Sequence, residues 1–221
     1  MSPNRIDPPL TNADARVLGA LIEKQVTTPD YYPLSLHALT AACNQSSNRT
    51  PVMSLDEDSV IAATDRLRRQ SLVRAIRRND SRVNKYEQLA GDNLELSARE
   101  LAVLCVLLLR GPNTLAEVRA RTERLAEFDG VTEVETTLTA LMEREPEPLV
   151  VRLPRQPGQK EVRYAHLLGG EVVFEATDAH VPVTMAPQPD RIAVLEETMS
   201  AMREEIAELR AHFAAFKKQF E

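Results

Sequence analysis

The sequence predicts a mainly α protein with small β-hairpins, an α+β fold, and three observations predict it. One order of elements runs through the chain twice. The 221 residues leave room for two units of roughly 80 residues and a tail, each unit near the lower size limit of a self-sufficient apolar core. The C-terminal stretch then carries an unbroken apolar heptad. Three helices followed by a two-stranded hairpin is the order of a winged helix, a relative of the helix-turn-helix. The predicted organisation is therefore a flexible N-terminus over 1–9, winged-helix domains over 10–90 and 94–168, an extended linker over 169–188, and an amphipathic coiled-coil helix over 189–221.

Residues before Leu10 are rich in Pro and Asn. The first helix starts with Thr11 as N-cap and Asp14 three residues on, a capping box with Asp in place of Glu or Gln. Val17, Leu18 and Leu21 form its apolar stripe. A short helical run, Leu36 to Ala42, comes second. Next are a longer helix carrying Val60, Ile61 and Leu67, the strand-like Leu72 to Ile76, a polar turn, and Val83 to Tyr86. The second copy opens on Ser97 and Glu100, a full capping-box match, with Leu101, Val103, Leu104 and Leu107 as its stripe. It continues through Leu115 to Val118, a helix carrying Val134, Leu138 and Leu141, Leu149 to Val151, a polar turn, and Val162 to Tyr164. Between the copies Ala90-Gly91-Asp92-Asn93 looks like a short linker that holds two domains close together. Pro182, Pro187 and Pro189 mark an extended stretch after the second domain.

In the tail, Ile192, Leu195, Met199, Met202, Ile206, Leu209, Phe213, Phe216 and Phe220 recur in alternating steps of three and four with no polar interruption. Such a seam belongs to a coiled coil or to a helix in a long groove. Arg191 with Glu196, and Glu205 with Arg210, suit a parallel homodimer. The alternative is that the helix folds back on its own domains.

A net charge of -6 and a pI near 5.4 give no overall attraction to nucleic acid or anionic lipid, so any nucleic-acid contact must come from a local patch. Cys43 and Cys105 are too few and too far apart for a disulfide framework and are expected as reduced, buried thiols. No segment has the length of a signal-peptide core or of a bilayer span. A cytoplasmic protein without membrane contact is expected.

A DNA-binding winged helix presents its third helix to the major groove and its hairpin tip to phosphates. The third helices fit this poorly. The first shows Asp58, Ala62, Asp65 and Arg69 outward after Asp56 and Glu57, and the second carries Glu133, Glu135 and Glu143. Carboxylates suit a helix N-terminus and repel phosphate. The hairpins point the other way. Arg74, Arg77, Arg78, Arg82 and Lys85 crowd the first, and Arg152, Arg155, Lys160 and Arg163 surround the second. They would give salt-sensitive, weakly sequence-selective phosphate contacts, or else blunt strand edges against aggregation. The loop Cys43 to Met53 adds Asn44, Gln45, Asn48 and Arg49, which either read base edges and phosphates or cap helix ends and tie the loop to itself.

Several strings of this chain resemble the YceH family of bacterial proteins. They are Ala15 to Lys24, Thr27 to Leu36, Ala42 to Gln45, Ser47 to Arg49 with Pro51 to Met53, and Leu153 to Glu161 followed by Arg163 to Leu168. The likeness runs from about Leu10 to Gly170 and is specific, because long literal strings match in order. It implies a tandem winged-helix fold and no particular activity. The chain departs from the family at His37, where Asn is usual, and at Ser46, where the usual Lys would add a phosphate contact.

His37, His166, His180 and His212 are isolated, and there is neither zinc-ligand spacing nor a nucleophile elbow nor a phosphate-binding glycine loop. A non-enzymatic protein with no metal or cofactor is expected. One hypothesis is a dimeric, transcription-related regulator that binds double-stranded DNA through basic wings, its coil setting the distance between half-sites. The alternative is an adaptor whose acidic third helices bind another protein, by fold-level analogy with the tandem winged-helix partners of chromosome-organising complexes.

Overall fold

The computed structural model describes residues 6–77, 84–155 and 161–170. The predicted linker beyond residue 170, the tail helix with all nine of its seam residues, and Arg78, Arg82 and Lys160 lie outside the described residues.

Two modules share one element order. The first comprises α1 (Asn12–Thr27), a 3-10 turn (Pro29–Tyr31), β1 (Leu34–Ser35), α2 (Leu36–Cys43), α3 (Glu57–Arg69), β2 (Val73–Ile76) and β3 (Lys85–Gln88). After α4 (Ala90–Asn93), the second comprises α5 (Ala98–Arg110), β4 (Asn113–Thr114), α6 (Leu115–Thr122), α7 (Val131–Met142), β5 (Val150–Arg152) and β6 (Arg163–His166). The result is an α+β fold with two antiparallel three-stranded sheets, ordered β1-β3-β2 and β4-β6-β5. Sequence reasoning expected two-stranded hairpins, and the third strand of each sheet is a correction. Leu34 pairs with Tyr86 and Asn113 with Tyr164. A two-residue strand shows no alternation to detect. Its one trace in the sequence is the cap of the next helix, since Ser35 and Thr114 end the strands and are also the N-caps of α2 and α6.

The capping boxes form as their spacing dictates. Thr11 Oγ1 accepts from Asp14 N at 3.2 Å, and the Asp14 carboxylate accepts from Thr11 N at 2.9 Å. Asp14 has a second task, because its carboxylate is buried and takes Arg66 of α3 at 2.8 Å. Ser97 and Glu100 close the equivalent box on α5.

Helix α1 is buried at every residue from Asp14 to Glu23, so it has no solvent face over that stretch. One side packs on α2 and α3, and the other makes the most extensive helix–helix contact of the fold, against α5. Gly19 allows this approach, since a Cβ there would lie 2.8 Å from Leu109 Cγ and 3.1 Å from Leu108 Cβ. Beside it Cys105 Sγ donates to the Gly19 carbonyl at 3.4 Å. Leu18, Leu21, Ile22, Leu104 and Leu107 are all fully buried, each stabilising the fold by about 1.5–3 kcal/mol.

A single apolar core therefore runs through both modules, and the described residues belong to one compact unit. The picture of two domains joined by a linker at Ala90 to Asn93 is corrected accordingly. That segment is helix α4, where Gly91 N donates to Gln88 Oε1 at 3.0 Å and Asn93 Nδ2 to the Ser71 carbonyl. The physical cause of the shared core is the apolarity of α1 and α5 around most of their circumference. The end of the predicted flexible N-terminus is also tied down. Leu10 N donates to the Leu168 carbonyl at 2.8 Å, Gln70 Nε2 donates to the Pro8 carbonyl at 2.6 Å, and Ile6 packs on the core. On α3, Val60 and Leu67 are buried as expected, joined by Ala63 and Thr64, while Ile61 faces outward.

Candidate functional site

The loop from Asn44 to Leu55 turns Asn44, Gln45, Asn48 and Arg49 toward the protein and leaves Ser46, Ser47, Thr50 and Ser54 exposed. Asn44 ends α2 and clasps Leu55 twice, its Nδ2 donating to the Leu55 carbonyl at 2.7 Å and its Oδ1 accepting from Leu55 N at 2.8 Å. Gln45 Oε1 accepts from Lys24 Nζ at 3.3 Å and from Arg49 Nη2 at 3.1 Å. Asn48, in the left-handed region at φ 59, accepts at Oδ1 from Arg110 of α5.

The Arg49 guanidinium is completely buried. Nη2 and Nη1 meet the two Glu23 oxygens at 2.7 and 3.3 Å, Nε and Nη2 reach the Ala42 carbonyl at 3.1 and 2.9 Å, and Nη1 reaches the Asn48 carbonyl at 3.0 Å. All three guanidinium nitrogens are engaged, which leaves nothing for a base edge or a phosphate. Arg49 is therefore corrected from a candidate nucleic-acid contact to a brace. The reason is local: the loop must satisfy its own backbone carbonyls, and a bidentate fork on a carboxylate fixes one guanidinium where it can reach two of them. A second buried arginine, Arg16, donates to the Cys43 carbonyl at 3.1 Å and the Pro51 carbonyl at 2.5 Å.

Charges respond as this geometry requires. Burial alone would raise the Glu23 carboxyl, but the hydrogen bonds and charge of Arg49, helped by Lys24, hold it below its ordinary range. Burial first, and then the neighbouring Arg49 charge, lower the pKa of Arg16. Burial pushes the Cys43 thiol up to about 12 and raises Cys105 further, so neither is a ready nucleophile. At the end of β6, burial lowers His166 to about 4, and its Nδ1 has no hydrogen-bond partner among the described residues.

The hairpins carry exposed positive charge, and so do Arg68 and Arg69 at the end of α3 and Arg119 of α6. Arg74 is drawn to Glu87, its cross-strand partner, with Nε donating to Oε1 at 2.6 Å. Arg77, Arg152 and Arg155 are exposed and Lys85 is half-buried. None of these four has a carboxylate partner at ion-pair distance among the described residues. Arg163, by contrast, is taken up by the Pro112 carbonyl at 2.9 Å and Glu117 at 3.1 Å. The third helices hold carboxylates outward: Glu57 and Asp58 on α3, Glu135 on α7. Asp65 pairs with Arg68 at 3.0 Å.

Between α6, α7 and the β5–β6 hairpin lies a groove of about 430 Å³, where Arg119, Arg152 and Arg155 face Glu123, Glu135 and Glu161 around a partly apolar floor. Sequence reasoning singled out Arg155 but not Arg119 or the groove, because α6 reads as a short apolar run and the groove exists only once the hairpin folds back over it. Among the described residues no three His, Cys, Asp or Glu side chains converge as a metal site would need. Among the same residues no helix is long and apolar enough to cross a membrane.

The fold defines a class: an α+β protein made of a repeated helix-and-hairpin module. The family described as "Protein of unknown function, DUF480" matches residues 10–159. Among similar proteins, a UPF0502 protein of Pelobacter propionicus is 54% identical over 217 residues, covering 96% of this chain and 98% of that one. A UPF0502 protein of Opitutus terrae is 49% identical over 196 residues, covering 89% and 84%. One of Vibrio vulnificus is 49% identical over 211 residues, covering 91% and 96%. The chain belongs to this family of YceH-like bacterial proteins.

Proposed function

We infer that the protein is a non-enzymatic tandem winged-helix protein that contacts duplex DNA through its two wings, the β2–β3 and β5–β6 hairpins, as a transcription-related regulator. The observation that carries the reading is the contrast between Arg77, Arg152 and Arg155, exposed without carboxylate partners among the described residues, and the outward carboxylates Glu57 and Asp58 at the start of α3 and Glu135 on α7. Phosphates would meet the wings and be repelled by Glu57, Asp58 and Glu135, so the contact is to backbone, with little base readout. The heptad at 189–221 supplies a homodimer in this reading, which pairs two such surfaces. Anisotropy titrations of a labelled duplex at two salt concentrations test it. Binding should weaken with salt, and Arg77→Glu with Arg155→Glu should reduce both affinity and salt slope, by about one for each phosphate no longer neutralised. A chain ending at residue 188 should sediment as a monomer and bind more weakly. Absence of binding at low salt, or binding untouched by the charge reversals, overturns the reading.

The groove in the second module favours a second reading. Its facing arginines and glutamates suit a partner segment carrying both signs of charge, as an adaptor would bind. An Arg119→Glu variant that binds DNA normally but loses a co-purifying protein would select that alternative.

A further inference from the structure

Between the two modules lies a second cavity, of about 210 Å³, whose walls come from both. Arg110 at the end of α5, whose guanidinium donates to Asn48 Oδ1 of the loop after α2, lines it together with Arg121 and Arg124 at the end of α6. Val106, Leu109 and Leu125 form an apolar floor. Among the described residues the only carboxylate in the lining is Glu23, which Arg49 grips bidentately and Lys24 approaches at 3.4 Å.

Three guanidinium groups therefore face one small space without matching negative charge. Arg121 has a loose contact with Glu117 at 3.5 Å, but that carboxylate also caps α6 and holds Arg163 at 3.1 Å. Arg124 has no ion pair among the described residues. Basic residues at helix C-termini are ordinarily explained by the helix dipole, which amounts to about half a charge per end. Two helix ends thus offset about one charge of three. The surplus is felt within the cluster: burial, then the charges of Arg121, Arg49 and Arg124, lower the pKa of Arg110. A protein of net charge -6 that gathers three arginines around a cavity has left a place for an anion.

We propose that this cavity binds a small dianion, a phosphate monoester or inorganic phosphate, held by Arg110, Arg121 and Arg124 with the Asn48 side chain at its edge. Guanidinium forks match phosphate oxygens bidentately, and the volume suits a phosphate with a few further heavy atoms rather than a nucleotide. Because Asn48 belongs to the first module and the arginines to the second, the ligand bridges them. It acts as an effector that stiffens the interface rather than as a substrate, since the one thiol in the lining, Cys105, donates to a backbone carbonyl and the one carboxylate is already gripped by Arg49.

Calorimetric titration of the full chain with inorganic phosphate and with glycerol 3-phosphate, at constant ionic strength against chloride, tests this, with a duplex added only in the competition arm. Saturable one-to-one binding with a Kd of about 1 mM or tighter is expected. Arg121→Gln and Arg124→Gln, both at solvent-accessible positions, should each weaken it about tenfold, and Arg155→Gln on the neighbouring hairpin should leave it unchanged. Far-ultraviolet spectra of the variants should match the parent. Non-saturable heats, equal heats with chloride, or binding that survives both substitutions would overturn the proposal. So would a duplex that competes for phosphate and loses affinity in Arg124→Gln as it does in Arg77→Glu, for the cluster would then be part of a DNA surface.

Discussion

Replacing Arg49 by Met removes the charge and every hydrogen bond of the guanidinium while keeping most of the aliphatic volume. Glu23 then sits 7% exposed with only Lys24, at 3.4 Å, to offset it. The Ala42 and Asn48 carbonyls lose donors as well. Breaking one partner out of a buried ion pair costs about 3–5 kcal/mol, whereas exposed pairs contribute about 0–1 kcal/mol. For a protein of this size each kcal/mol moves Tm by about 2–4 °C, so Arg49→Met should melt roughly 6–20 °C lower. Urea unfolding gives the free energy directly and should show an unchanged m value. Glu23→Gln with Arg49→Met should cost less than the two single changes summed, because the stranded charge is gone. The pH dependence has a definite sign. The folded Glu23 carboxyl lies below its unfolded value of 4.5, so its stabilisation is present above that pH and is lost as pH falls through the folded value. Arg49→Met should flatten this part of the acid limb. A loss under about 1 kcal/mol, or a double variant no better than additive, would refute the claim that the loop is held by a buried ion pair.

Gly19→Ala should destabilise by about 1–2 kcal/mol in thermal melts, because overpacking against Leu108 and Leu109 outweighs the helix-propensity gain of up to about 1 kcal/mol. A more stable variant would mean that α1 and α5 part readily. His166, lowered to about 4 from 6.5, stays neutral in the fold while the unfolded chain takes up a proton. Stability should therefore decline as pH falls from 6.5 toward 4, by about 2–3 kcal/mol over that window, and His166→Gln should remove that part of the slope. Parallel pH profiles for parent and variant would count against it.

The repeated order of helices and hairpins was legible because each element has a local signature. Thr11 with Asp14 and Ser97 with Glu100 mark helix starts by side-chain spacing alone, and the boxes form as drawn. What escaped depends on distance along the chain. The Arg49 side chain looks like any exposed loop arginine until Glu23 is brought to it from a helix 26 residues away. Asp65 and Arg68 are neighbours on one helix turn and so are visible in sequence, whereas Asp14 and Arg66 are separated by 52 residues and are not. The shared core escaped for a related reason. An apolar stripe predicts that α1 buries one face, but Gly19, which reads as a weak point in a helix, is the place where a second helix arrives.

That arrival constrains how any partner is met. The loop that the buried arginines brace also reaches the second module directly, since Thr50 N donates to the Leu109 carbonyl at 2.9 Å and Asn48 takes Arg110. Turning one module relative to the other would break these bonds and expose Leu108 and Leu109 of α5 together with the α1 surface around Gly19. At about 1.5–3 kcal/mol for each large side chain, re-exposing these two leucines alone costs on the order of 3–6 kcal/mol, a large part of the stability of a domain. Opening at α4 is therefore costly. The β2–β3 and β5–β6 hairpins are presented at a fixed separation and angle, and a duplex that touches both must fit that geometry or bend to it, at a deformation energy that depends on its sequence. In the proposed DNA-binding reading, selectivity would then arise from the deformability of the duplex and not from base contacts by the third helices.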